Sequence, residues 1–192
     1  MVDDQVRVGS YSALIAGIVI CGLAAVALFL PVIQDSPRGE LLGLLLLLAG
    51  LAEAGTGWLR RRLRTGRSAL GAGVVAMVLG ALFLFNPSLH LVPTSYLIIL
   101  WLFSRGVLLL FASIPWTDPE HAWLAVSGFA DIGLFVVLLV GLPVTALTLS
   151  LFGPTEEVVA NFSLVVAVSL AVAGLSLIVI SMLERREPEA TE

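Results

Sequence analysis

The chain has 192 residues, 59% of them hydrophobic and only 12% charged, with a mean hydropathy of +1.06, whereas a soluble domain carries about 25% charged residues. A single soluble core of this size cannot hide so much apolar surface, while about 20 apolar residues suffice to cross a bilayer as a helix; the composition excludes an ordinary soluble domain and predicts an all-α integral membrane protein. The dispersed net charge of −4 excludes nucleic acid as a partner, and the single cysteine, Cys21, excludes a disulfide framework or a Cys-based zinc site within one chain.

Six apolar segments follow in chain order, at about 10–33, 40–59, 69–86, 93–114, 121–142 and 160–183. The leader MVDDQVRVGS holds two aspartates against one arginine, and the apolar run behind it is too long for a signal-peptide core, so the first segment reads as an uncleaved helix. The second ends at Trp58 and passes into RRRLRTGR, a basic loop over 60–68. After the third and fourth come a short loop over 114–120 and a fifth segment opened by His121 and Trp123. An outer loop over 143–159, VTALTLSLFGPTEEVV, is expected to lie along the membrane surface before the sixth segment. Residues 184–192 read as a polar tail.

All ten basic residues are arginine, a choice that points to a GC-rich bacterial codon bias. Arg7, Arg60, Arg61, Arg62, Arg64, Arg67, Arg185 and Arg186 fall on one side of the six-segment pattern, and only Arg38 falls in the opposite loops. The positive-inside rule therefore places both termini in the cytoplasm, with the protein in a bacterial inner membrane. Trp58, Trp116 and Trp123 sit where segments meet that face, as interfacial tryptophans do. The cluster Arg60, Arg61, Arg62, Arg64 and Arg67 reads first as a topology signal and second as a patch for anionic lipid headgroups, at about 1 kcal/mol per arginine.

A pattern recurs three times. Gly17 precedes Pro31 by 14 residues, Gly73 precedes Pro87 by 14, and Gly128 precedes Pro143 by 15; each proline stands where a helix is expected to stop. The chain thus reads as three tandem helical hairpins, about 10–59, 69–114 and 121–183, within one membrane domain. Small residues at i, i+4 spacing, Ala13, Gly17, Cys21 and Ala25 in the first helix and Ala72, Ala76 and Gly80 in the third, are the expected helix contacts. With a central glycine in each second helix, Gly50, Gly106 and Gly174, the repeat resembles that of the HdeD-like membrane proteins, a short-repeat family, over residues 10–183. The resemblance implies a six-helix inner-membrane protein, a role in acid resistance for some members, and no catalytic motif.

Glu53, Arg105 and Asp131 are charges inside the apolar segments. At about 1.5 Å per residue, Glu53 lies about 10 Å from Arg60, Arg105 about 15 Å from Pro115 and Asp131 about 15 Å from His121, so all three are expected at similar depth, on the cytoplasmic side of the midplane. Glu53 shares a face with Ala49, Gly50 and Gly57, and Asp131 one with Ser127 and Gly128, which predicts that both acids face the bundle interior. An unpaired charge there costs at least about 2.5 to 3.5 kcal/mol, so Arg105 is expected to pair with Asp131, Glu53 or both. Trp101, one turn before Arg105, is expected either to stack on the guanidinium or to face lipid, and Glu53 to reach water or Arg60.

Enzymatic motifs are absent: there is no Ser-His-Asp set, no phosphate loop and no dinucleotide turn. His90 and His121 fall at opposite faces of the membrane and cannot share a metal; no catalytic, metal or cofactor residue is expected. Asn161-Phe162-Ser163 matches a glycosylation acceptor by chance. Two functions remain. One is a non-enzymatic membrane protein with a structural or stress-related role, alone, as a homo-oligomer or as an accessory subunit of a larger complex. The alternative is a small proton-coupled transporter or channel using buried Glu53 and Asp131, which the lack of interrupted helices disfavours.

Overall fold

The computed structural model describes residues 2–29, 38–61, 64–89, 94–114, 119–152 and 156–186. These form six helices: α1 (Val2–Phe29), α2 (Arg38–Leu59), α3 (Arg64–Leu89), α4 (Thr94–Ala112), α5 (Pro119–Phe152) and α6 (Glu156–Arg186). Among the described residues no strand occurs. Long apolar segments take this form because a helix satisfies its own backbone hydrogen bonds where water cannot. Five helices, α1, α2, α3, α5 and α6, are long and apolar enough to cross a membrane, while the apolar part of α4, Tyr96–Ala112, is shorter. Pro31, Arg62, His90, Trp116 and residues 187–192 lie outside the described residues.

Several boundaries differ from expectation. The basic loop is short, because α3 already begins at Arg64. Its tight return rests on Gly66, where a side chain would collide with the Arg60 carbonyl. Neither Pro87 nor Pro143 ends its helix. Pro87 lies in the last turn of α3, and α5 runs through Pro143 to Phe152, so residues 143–152 of the expected surface loop are helical. A proline removes one N–H and crowds the preceding turn, and in a long apolar helix the surrounding hydrogen bonds hold the axis across the gap. Glu184 and Arg185, expected in the tail, belong to α6.

The most extensive helix pairs are α2 with α3, α1 with α6 and α4 with α5; α1 with α2, α3 with α4 and α5 with α6 touch less. Each helix packs on its neighbours in sequence, and α1 closes on α6, so the six form a ring. The tightest pairs join one predicted hairpin to the next. Among their contact points are the six glycines of the repeat. A Cβ on Gly50 would stand 2.7 Å from the carbonyl oxygen of Gly73 and one on Gly73 2.7 Å from that of Gly50; the reciprocal distances are 2.8 Å for Gly17 with Gly174 and 3.1 Å for Gly106 with Gly128. In each pair the second-helix glycine of one repeat meets the first-helix glycine of the next, and the last repeat meets the first.

The small-residue stripes are partly contacts. Ala72, Ala76 and Gly80 are buried, as are Ala13 and Gly17, but Ala25 is exposed. Each i+4 step advances a helical stripe by about 40°, so by Ala25 it has turned about a third of a circle from Ala13, and Ala24 and Ala27 take over the buried face. The core inside the ring is built from Ile20, Leu46, Phe83, Trp101 and Val166 with their neighbours.

Candidate functional site

Three charges meet inside the ring. The face of α2 that buries Ala49, Gly50 and Gly57 also turns Glu53 inward, and the face of α5 that buries Ser127 and Gly128 does the same for Asp131. Arg105 enters from α4. Glu53 is 5% exposed, Arg105 3% and Asp131 0%. The guanidinium bridges both acids: Nη2 donates to Glu53 Oε1 at 2.6 Å, and Nη1 donates to Asp131 Oδ2. Ser169 of α6 donates its hydroxyl to the other Asp131 oxygen, Oδ1, at 2.5 Å. Four helices, α2, α4, α5 and α6, are thereby joined by one polar network. The planar fork of arginine suits this role, because two of its nitrogens address two carboxylates at once.

A second polar layer lies where α1 begins and α2 and α6 end. Arg60 and Glu184 form a buried ion pair. Ser10 Oγ donates to the Ser181 carbonyl at 2.9 Å and accepts from Arg185 Nε at 3.0 Å, and the Arg185 guanidinium stacks over Tyr11 at 4.2 Å. Arg60 is thus buried against Glu184 and not exposed in the expected headgroup patch, while Glu53 is paired with Arg105. Arg61 and Arg67 are exposed, with Arg61 lying over the exposed ring of Trp58 at 4.6 Å. The side chain of Arg64 lies outside the described residues.

Trp101 is fully buried, which overturns its lipid-facing reading. His121 is buried near the start of α5. Among the described residues no three His, Cys, Asp or Glu side chains gather as a metal set. Sequence reasoning missed Ser169, Ser10 and Glu184. A serine in an apolar helix carries no signal of its own, though Ser169 and Ser176 stand two turns apart on α6 and are both buried. Glu184 was hidden by the polar run ERREPE, which reads as a solvated end.

The helical pattern is compatible with a multi-pass membrane protein, and its interior holds a charge cluster. Comparison with protein-family models, curated proteins and solved structures finds no match for the chain.

Proposed function

We propose that the protein is a non-enzymatic, multi-pass protein of a bacterial inner membrane, of the HdeD-like type, with a structural or stress-related role such as acid resistance, or a place as accessory subunit in a larger membrane complex. All six helices span, α4 included, and both termini face the cytoplasm with Arg61 and Arg67. The observation that carries this reading is the bridging of Glu53 and Asp131 by Arg105, with Ser169 completing the shell. A carrier must open its site alternately to each side, whereas charges bonded to one another across four helices favour one fixed arrangement. The recurrent glycines and prolines support the family, and the arginine bias supports the orientation.

Purified protein in proteoliposomes is expected to carry no current or solute flux driven by a pH gradient. A flux that is lost in Glu53→Gln or Asp131→Asn would replace this reading with a proton-coupled carrier. Orientation is tested separately with Thr65→Cys and Gly153→Cys, each in a Cys21→Ala background. An impermeant thiol reagent added to intact spheroplasts should label position 153 and spare 65, and the reverse pattern inverts the orientation. Native mass spectrometry after gentle extraction asks whether the protein travels alone, with copies of itself or with a complex.

A further inference from the structure

The repeat makes the charge cluster testable as something other than a fold requirement. Alignment on the paired glycines puts Asp131, three residues after Gly128, level with Ile20 and Ala76, three after Gly17 and Gly73. Glu53 likewise matches Leu109 and Leu177, and Arg105 matches Ala49 and Ala173. All six counterparts are buried apolar residues. The same backbone positions are therefore filled by hydrocarbon wherever the ring needs only packing. Exchanging a buried ion pair for apolar side chains is commonly neutral or stabilising, so packing alone does not call for charges here.

Charge balance then specifies what the cluster holds. Two carboxylates face one guanidinium, which leaves one negative charge in excess in a water-poor interior, and a buried charge without a counter-ion takes up a proton. Among the described residues no other group at this level supplies the missing positive charge. At the equivalent level α1 and α3 carry Ile20 and Ala76, and α6 contributes the neutral Ser169. Arg60, about 10 Å further along α2 by helix rise, is paired with Glu184.

Two buried polar groups, on the helices that carry Arg105 and Ser169, call for water. Trp101 Nε1, one turn from Arg105 on α4, and Ser163 Oγ, on the same helix as Ser169, have no hydrogen-bond partner among the described residues, although both residues are almost fully enclosed. Leaving a buried donor unmet is unfavourable, and interior waters ordinarily satisfy such groups.

We propose that Glu53, Arg105 and Asp131 form a proton-binding site that holds one exchangeable proton between its two carboxyls, hydrated from the side of Trp101 and Ser163. Uptake forms one O–H bond on a carboxylate oxygen and removes the excess negative charge; release returns the proton to water. The site stands whether the protein is a scaffold or a carrier.

Infrared spectroscopy of the wild-type protein in bilayers tests this at neutral pH. The expected result is a carbonyl band of one protonated carboxyl per chain that shifts in heavy water. It should disappear in Glu53→Gln or in Asp131→Asn and persist in Glu184→Gln. Absence of the band from the wild type overturns the proposal, as does a band that survives in both cluster variants. If a variant does not fold, isotope labelling of the aspartate or glutamate carboxyl carbons in the wild-type chain assigns the band, and a band that moves with neither label has the same consequence.

Discussion

Arg105 holds two acids, so its loss is felt twice. Breaking a buried pair from one side costs about 3 to 5 kcal/mol, and Arg105→Leu is expected to fall in that range in detergent melting. Arg105→Leu combined with Asp131→Leu should recover part of the loss, because it removes one stranded carboxyl with its partner and leaves hydrocarbon of the kind that fills the equivalent positions Ile20 and Ala76. Equal melting of parent and variants would show that the bridge contributes nothing to stability. The three charges were legible in the sequence because a charge in an apolar run has few places to go. Ser169 was not, since its importance comes only from the Asp131 oxygen opposite it, and Glu184 was read with the polar residues around it.

At the scale of helices, the glycines separate into those that touch and those that do not. A Cβ at Gly50 would stand 2.7 Å from the Gly73 carbonyl, whereas one at Gly22 would meet nothing within 4 Å. Gly50→Ala is therefore expected to force α2 from α3 at a cost of about 1 to 3 kcal/mol, the usual range for overpacking. Gly22→Ala should be neutral or gain up to about 1 kcal/mol from helix propensity. Unfolding titrations of the two variants check the contrast, and equal effects would mean that the close approach is not limiting. The existence of all six helices was legible from hydropathy. Their ends were not, because Pro143 was read by its local preference for stopping a helix, while the hydrogen bonds on either side of it carry α5 onward.

At the scale of the whole molecule, the repeat was visible but its partners were not. Spacing alone shows that Gly17, Gly73 and Gly128 are equivalent, and says nothing of whether each meets the second helix of its own hairpin or of the hairpin before it. The ring chooses the latter, and its closure rests on α1 against α6. Ser10→Cys with Ser181→Cys, in a Cys21→Ala background, should form an intramolecular cross-link with a short thiol-reactive reagent, read as a mobility change on a gel. Cross-linking only between separate chains would mean that the ring opens and exchanges its last helix with a neighbour.

Closure by the last helix also sets the order in which the molecule becomes complete during its own synthesis. The ribosome finishes α1 at Phe29 and does not reach α6 until Glu156, an interval of order ten seconds at typical elongation rates. Throughout it the Gly17 face of α1 lacks the Gly174 face it meets in the finished ring, and Glu53 waits without Arg105 until α4 is made. A nascent chain interrupted before α6 lacks both the glycine that meets Gly17 and the serine that bonds Asp131, so neither the ring nor the charge cluster is complete until the last helix is made.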